Sequence, residues 1–187
     1  MLCGLVASAG IIVGRRQFSP GVETREQLEA LTSEPVLGVI PHVSTWFGRS
    51  QPLADYVAQN PNSPVAETLN GMLHALKRSS LDDPKKVFLV TSSEPCEGKT
   101  SFCLSLGRMA AQSGMRCLIL DCDFRRPMVA TRTGLPSTTS LNDCLLSDSN
   151  WMKDALISDT HATNLDLLLT KPTANQMHQL CTSTRMQ

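Results

Sequence analysis

The residues best suited to chemistry form one short segment, Ser93 to Thr100, with the sequence Ser-Glu-Pro-Cys-Glu-Gly-Lys-Thr. The segment matches the phosphate-binding pattern G-x-x-x-x-G-K-[ST] at every fixed position except the first, where Ser93 replaces glycine. In such a loop, backbone N–H groups and the positive end of a helix dipole face phosphate oxygens. The segment therefore predicts a site for the phosphate groups of a nucleotide.

The end of this segment carries the residue types that the chemistry needs. Gly98 lets the backbone approach a phosphate closely, and Lys99 brings a positive charge to the outer phosphates. The Thr100 hydroxyl suits Mg²⁺, which prefers oxygen ligands. The residues predicted to bind the nucleotide are Glu94, Pro95, Cys96, Glu97, Gly98, Lys99, Thr100 and Ser101. The alternative is an ordinary strand–turn–helix, and the flanking elements argue against it.

Two acidic residues follow a second apolar run. Asp121 and Asp123 come directly after Cys117–Leu120, and strand ends on one side of a parallel sheet gather ligand-binding residues. Such carboxylates can hold a Mg²⁺ shell or orient an attacking hydroxyl. Asp121 and Asp123 alternate along an extended chain, so they point to opposite sides and predict different tasks. A plain polar strand end is the alternative, and Arg125 and Arg126 suit phosphate, an acidic partner or the surface.

The elements that must position these residues predict an α/β domain. Val87–Val90 and Cys117–Leu120 are compact apolar runs typical of parallel strands buried on both faces. Lys99–Ser113 predicts the helix between them, ended by Gly114. Leu165–Leu169 predicts a third strand. The sequence thus predicts a parallel sheet flanked by helices, with a right-handed crossover.

Weaker patterns describe the rest of the chain. Helical spacing predicts helices in four stretches, Glu23–Leu31, Val65–Lys77, Asp154–Ile157 and Asn175–Cys181. Val36–Ile40 predicts a short strand or an extended segment, and Pro136–Leu146 a loop with a short helix. His42–Pro64 is rich in proline and predicts a loop or linker.

Composition excludes several classes of protein. The 17 basic and 17 acidic residues give zero net charge, so no strong attraction to nucleic acid is expected and no nucleic-acid partner is predicted. The seven cysteines include no C-x-x-C pair and no zinc spacing. They predict reduced thiols in a cytosolic setting, mostly buried as small apolar residues.

The first residues suggest a membrane boundary. Leu2–Gly14 carries no charge and is followed by Arg15 and Arg16. A full span needs about 20 apolar residues, and a signal peptide carries its positive charge before the apolar run. The pattern favours the end of a transmembrane helix that leaves the membrane on the cytoplasmic side, with a buried N-terminal helix or strand as the alternative. We expect a partial transmembrane helix over 1–14, a juxtamembrane linker with short helices over 15–80, and a P-loop nucleotide domain over 81–187.

Taken together, the motifs resemble one family. Thr91–Thr100 and Leu118–Pro127 are similar to the Walker A and Walker A′ motifs of the bacterial tyrosine kinases (BY-kinases) of exopolysaccharide and capsule export. Glu34–Pro41 resembles the segment that follows their second transmembrane helix. Asn164–Leu168 and Asn175–Met186 resemble the approach to their next strand.

The resemblance implies a P-loop NTPase fold related to the cell-division and partition ATPases, with ATP and Mg²⁺ as cofactors. It implies transfer of the γ-phosphate to protein tyrosine, often on a neighbouring copy. Lys99 and Asp121 would be catalytic, with Asp121 activating the tyrosine hydroxyl, and Thr100 and Asp123 would serve the metal. It also implies the cytoplasmic face of the bacterial inner membrane, polysaccharide polymerisation and export proteins as partners, and a cognate phosphatase.

The chain departs from the family pattern at defined positions. Cys96 stands where the family often has glycine, and Asn70 and Leu73 replace the arginines of the ring-building E-x-x-R-x-x-R motif, of which Glu67 remains. The Walker B strand is expected beyond Met186, and the C-terminal tyrosine cluster is absent. We therefore expect a domain that is incomplete at its C-terminus and poor in phosphoryl transfer.

Two other functions stay open. Asn70 and Leu73 suggest a non-catalytic, nucleotide-binding regulatory subunit of polysaccharide export. The other alternative is a partition-type ATPase. That branch carries an additional lysine where this chain has Glu94, which favours the kinase branch.

Overall fold

The computed structural model describes residues 21–22, 24–41, 52–79, 87–136, 139–146 and 152–173. The chain divides into two compact units, Met1–Val39 and Ile40–Gln187. The expected transmembrane end over 1–14 and the helix predicted at Asn175–Cys181 lie outside the described residues. Where the structure is described, no helix is both long and apolar enough to cross a membrane.

In the first unit, helix α1 spans Arg25–Thr32, which confirms the predicted helix. A reciprocal capping box begins it: the Gln27 N–H donates to Thr24 Oγ1 over 3.2 Å, and the Thr24 N–H donates to Gln27 Oε1 over 3.3 Å. Ser33 ends the helix in the left-handed conformation, with φ 58°. The following residues are extended, without strand pairing in the described part of this unit.

The second unit begins with two helices, α2 at Leu53–Gln59 and α3 at Pro64–Ser79. Helix α3 confirms the predicted periodicity, since Val65, Leu69, Met72 and Leu73 are buried. Helix α2 forms where a loop was predicted. Its apolar side packs into a cluster with α3 and with Phe102 and Met109, so tertiary packing outweighs the weak local signal.

The remaining elements are helices α4 Lys99–Gln112, α5 Val129–Thr133, α6 Leu141–Leu146 and α7 Met152–Ala155, and strands β1 Cys117–Leu120, β2 Leu156–Ser158 and β3 Leu165–Leu168. The strand order is β1-β3-β2. Strands β1 and β3 are parallel, with Cys117 opposite Leu165, whereas β2 and β3 are antiparallel. The sheet is therefore mixed, and the prediction of a parallel sheet is wrong for β2. Ile157, predicted to be helical, lies in β2.

The core of this unit lies between α4 and the sheet. Leu165, Leu167 and Leu169 are fully buried and pack with Leu104 of α4 and Val129 of α5. This clustering of apolar side chains supplies most of the driving force for the fold. It also fixes the position of α4, which carries the candidate phosphate loop at its beginning.

The predicted strand at Val87–Val90 does not form. In the described residues this segment is extended without a strand partner, and Val87 and Leu89 are 89% and 90% exposed. Strand β1 forms as predicted, but Leu118 and Leu120 are 56% and 48% exposed. Burial on both faces requires neighbours on both faces, and the described part of the chain covers only one side of β1.

The cysteine prediction is wrong in part. The five described cysteines are free. Only Cys144 of the five is buried, whereas Cys96 and Cys122 are exposed. The interpretation as buried apolar residues is therefore wrong for those two, because both lie in loops at the candidate site.

Gly107 lets α4 lie close to the sheet. A Cβ at this position would stand 2.9 Å from Ile119 Cδ1 and 3.4 Å from Leu165 Cδ1. A larger residue would have to displace the end of the Ile119 side chain or move the helix. Glycine at this position therefore permits the close packing of α4 on β1 and β3.

Candidate functional site

The phosphate-binding segment forms a loop that leads directly into α4. Gly98 is the N-cap of the helix and has φ 91°, a left-handed conformation that favours glycine. No side chain caps the first turn of α4, and that turn contains no acidic residue. Its backbone N–H groups and its positive dipole end are therefore free to face an anion.

The Lys99 ammonium folds back across this loop. Its Nζ donates to Ser92 Oγ over 2.6 Å and to the Glu94 carbonyl oxygen over 3.3 Å. The positive charge is thereby held over the loop rather than extended into solvent. The sequence pattern identified Lys99, but it gave no signal for Ser92 as its partner.

Glu97 shapes the loop from within. Its carboxylate accepts the Glu94 N–H over 3.1 Å and the Ser93 hydroxyl over 3.3 Å. The hydrogen bond from the Glu94 N–H, followed by contributions from nearby hydroxyls and Lys99, lowers the pKa of Glu97. The charged Glu97 side chain therefore links the end of the loop to its beginning through hydrogen bonds. Ser93, which replaces the first glycine of the pattern, donates one of these hydrogen bonds.

Cys96 has φ 66°, so a side chain stands in the left-handed region. For residues other than glycine this region costs about 1–2 kcal/mol. The departure from the family glycine at this position is thus a point of backbone strain in the loop. Pro95 beside it is exposed, like Cys96.

Asp121 lies at the end of β1 and is only 7% exposed. Its two carboxylate oxygens accept the backbone N–H groups of Asp123 over 3.1 Å and of Val129 over 3.4 Å. Burial raises the pKa of this carboxyl, and these hydrogen bonds only partly offset the effect. The buried Thr170 hydroxyl donates to the Asp121 carbonyl oxygen over 2.6 Å, a contact that sequence analysis missed.

The acidic strand end lies beside α4. Burial first, and then the negative charge of Asp121, raises the pKa of Cys103 on that helix. Strand β1, which leads into Asp121, also packs against α4 where Ile119 meets Gly107. Thr100 itself is half-buried, and Ser101 follows it in the first turn.

Asp123 turns back onto its own loop. One carboxylate oxygen accepts the backbone N–H groups of Arg125 over 3.2 Å and of Arg126 over 2.9 Å. Asp121 accepts from Asp123 and Val129 instead, so the two carboxylates have different partners. Within the described ranges, no group of three or more His, Cys, Asp and Glu residues is arranged to hold a metal ion.

The donor set nevertheless fits a nucleotide with Mg²⁺. The free N–H groups of α4 and the Lys99 ammonium suit phosphate oxygens, and the Thr100 hydroxyl offers an oxygen ligand at the same end of the helix. A Mg²⁺ ion in such a site takes much of its shell from the phosphates and water. A cluster of protein carboxylates is therefore not required.

Comparisons with known proteins place this arrangement in context. No protein-family model matches the sequence. The tyrosine-protein kinase YwqD of Bacillus subtilis (strain 168) is 30% identical over 127 residues, which cover 68% of this chain and 53% of YwqD. The succinoglycan biosynthesis transport protein ExoP of Rhizobium meliloti (strain 1021) is 28% identical over 129 residues, which cover 69% of this chain and 16% of ExoP. The chain thus spans about half the length, or less, of the curated relatives it matches.

Solved structures agree with the fold. The chimerical protein CapA2B2 superposes with a TM-score of 0.66 at 28% identity, over 87% of this chain and 67% of that chain. The kinase domain of the Escherichia coli tyrosine kinase ETK superposes with a TM-score of 0.76, over 89% of this chain and 67% of that chain. At 21% identity, the second comparison supports the fold alone.

Proposed function

We propose that this chain, a member of the bacterial tyrosine kinases (BY-kinases), binds ATP with Mg²⁺ and serves phosphoryl transfer to protein tyrosine. One observation carries the proposal. The uncapped N-terminus of α4, with Lys99 across its loop, belongs to the helix that packs against β1, and β1 leads directly into the buried carboxyl of Asp121. A phosphate site and a candidate base thus lie on two elements that pack against each other.

Each residue has a defined part in the proposed reaction. The α4 amides and Lys99 bind and orient the phosphates, and Thr100 and Asp123 serve the metal, whose charge would neutralise the phosphate oxygens. The Asp121 carboxylate accepts the proton of the tyrosine hydroxyl. The tyrosine oxygen then forms a bond to the γ-phosphorus as the bond to the bridging oxygen breaks and ADP leaves. Burial raises the pKa of Asp121, which makes it a stronger base than an exposed aspartate.

The names of the relatives suggest the biological setting. ExoP is named as a succinoglycan biosynthesis transport protein, and YwqD as a tyrosine-protein kinase. We propose a role in the synthesis and export of an exopolysaccharide or capsule, at the cytoplasmic face of the inner membrane. The proposed partners are polysaccharide polymerisation and export proteins, neighbouring copies or another tyrosine substrate, and a cognate phosphatase.

Phosphotyrosine formation tests the proposal. The full chain is incubated with Mg²⁺–ATP and a tyrosine-containing protein or polymer, and phosphotyrosine is detected with an antibody. We expect slow transfer that requires Mg²⁺ and is lost in Asp121→Asn, while nucleotide affinity is retained. The matched control is Asp154→Asn, an exposed acid on α7. Transfer that survives in Asp121→Asn would contradict the role given to this carboxyl.

A second candidate function is a nucleotide-binding regulatory subunit. Leu73, at one of the two expected arginine positions, is buried in the structure, whereas Asn70 at the other is exposed. Both positions lack arginine, and because position 73 is buried, an arginine there would require the surrounding side chains to repack. If this candidate holds, Lys99→Ala weakens binding to an export partner together with nucleotide binding. If partner binding is the same with and without nucleotide and is unchanged in Lys99→Ala, the regulatory-subunit function is excluded.

A further inference from the structure

Arg108 on α4 is a buried cation with two carboxylate partners. Its side chain is 5% exposed, and Nη2 lies 3.0 Å from Asp159 Oδ2, whose side chain is 0% exposed. Its Nη1 lies 2.8 Å from Asp55 Oδ1, and the Asp55 side chain is 31% exposed. Nη2 also lies 3.1 Å from His161 Nδ1. None of these residues has a part in the phosphate chemistry described above.

The two carboxylates differ in what they hold. Asp159 lies in the turn between β2 and β3, and its second oxygen accepts the His161 N–H over 2.8 Å. That pair is internal to the α4–sheet core and neutralises the buried charge. Asp55 comes from α2 and is a second, partly exposed acid on the same cation. The α2 contact can therefore open without leaving a buried charge unpaired, which would be costly.

Helix α2 packs on its neighbours through its apolar side. Ala54 and Val57 are buried, and Leu53 and Tyr56 are half-buried. Ala54 packs with Leu104 and Ala111 of α4. Tyr56 packs in the cluster that contains Phe102, one residue beyond Ser101 in the first turns of α4. Docked α2 thus contacts α4 at Arg108 and shares an apolar cluster with Phe102 near the beginning of α4.

Helix α4 links these contacts to the candidate nucleotide site. Arg108 lies about 13 Å along the helix axis from Lys99. Gly107, next to Arg108, lies close to Ile119 and Leu165 of the sheet. Because Lys99, Thr100 and Arg108 belong to one continuous helix, a shift of α4 at Arg108 would also be felt at its phosphate-binding end.

We propose that Asp55 is a positioning residue for the nucleotide site, which acts through Arg108 and α4 and couples the docking of α2 to nucleotide binding. The proposal rests on the proposed nucleotide function. Docked α2 holds α4 in the position that binds phosphate, and bound nucleotide in turn holds α2 against α4. Such coupling is reciprocal by thermodynamic necessity.

The test compares the full wild-type chain with Asp55→Asn, with the conservative Asp55→Glu, and with the control Asp154→Asn on α7. The affinity for a non-hydrolysable ATP analogue with Mg²⁺ is measured by calorimetry. Amide hydrogen exchange of the α2 peptide and the phosphate-loop peptide is measured with and without the analogue. A purely structural contact would not make exchange in α2 depend on nucleotide.

We expect the analogue to slow exchange of both peptides in the wild-type chain. In Asp55→Asn the affinity falls about two- to fivefold, the range available to an ion pair with one partly exposed member. The α2 protection is lost in this variant, while the loop protection remains. Asp55→Glu regains part of both effects, and Asp154→Asn matches the wild type.

The coupling is overturned if the analogue slows exchange of the α2 peptide as much in Asp55→Asn as in the wild type. It is equally overturned if Asp55→Asn binds the analogue with wild-type affinity, because linkage requires both quantities to change. Absence of binding by the wild-type chain refutes the proposed nucleotide function and the coupling with it. Binding with loop protection alone refutes only the coupling.

Discussion

Two glycines in the interiors of helices offer a matched test of how α4 is positioned. Gly107 of α4 faces the sheet, and a Cβ there would stand 2.9 Å from Ile119 Cδ1 and 3.4 Å from Leu165 Cδ1. Gly71 of α3 is exposed, and a Cβ there would meet nothing within 4 Å. The same substitution, glycine to alanine, should therefore have opposite effects at the two positions.

The magnitude follows from these distances. Alanine in a helix interior is favoured over glycine by about 1 kcal/mol, and Gly71→Ala should gain this amount in the free energy of unfolding. Gly107→Ala has the same gain, but the end of the Ile119 side chain must give way by several tenths of an ångström or α4 must move. Overpacking of this kind costs about 1–3 kcal/mol. The net change at Gly107 is then a loss of up to about 2 kcal/mol.

Urea unfolding followed by circular dichroism measures both variants against the wild type. The expected difference between them is about 1–3 kcal/mol, with unchanged dependence on denaturant. Gly107→Ala should also weaken binding of a Mg²⁺–ATP analogue, because α4 carries Lys99. Equal stabilisation by both substitutions would refute the close approach of α4 to the sheet.

Three further predictions concern one buried ion pair and two residues of the candidate site. Arg108→Met leaves the fully buried Asp159 carboxylate without its cation, so the free energy of unfolding should fall by about 3–5 kcal/mol in urea denaturation; a fall below about 1 kcal/mol contradicts the network. Burial raises the pKa of Asp121 above the ordinary 3.8, so the folded state binds this proton more tightly than the unfolded state. The contribution of this carboxyl to the free energy of unfolding therefore falls as the pH rises from 3.8 through the raised pKa. The stability of wild type minus that of Asp121→Asn should therefore decrease over that interval and stay constant above it, and an increase with pH would contradict the sign. Cys96→Gly relieves a left-handed residue with φ 66° and should raise the free energy of unfolding by up to about 1 kcal/mol. The control Cys122→Gly should lower it, and the same direction of change in both would rule out strain at Cys96.

Local sequence patterns were enough for the elements that carry the site. The helix beginning at Lys99 and the strands at Cys117 and Leu165 were predicted because each is specified by its own periodicity and turn residues. The α/β class was predicted from one strand–loop–helix–strand unit, although the first strand of that unit, Val87–Val90, does not form in the described residues and the sheet is mixed.

The contacts between distant parts of the chain could not be predicted in this way. Asp55 and Arg108 are 53 positions apart, and Thr170 and Asp121 are 49 positions apart, so no local sequence pattern predicts either contact. Val87–Val90 has the composition of a buried strand, but a strand needs a hydrogen-bonding neighbour, and composition cannot supply one. The antiparallel pairing of β2 likewise depends on β3 and not on the residues of β2 alone.

The central claim is that the loop before α4 binds the phosphates of ATP with Mg²⁺ through Lys99. Calorimetric titration of the full chain with a Mg²⁺–ATP analogue tests it most directly, with Lys99→Ala as the variant. The control Arg78→Ala removes an exposed cation at the end of α3. A charge-assisted hydrogen bond is worth about 1.5–3 kcal/mol, so Lys99→Ala should weaken binding at least about tenfold while Arg78→Ala leaves it unchanged. Equal affinity of the wild type and Lys99→Ala, or no binding by the wild type, would contradict the claim.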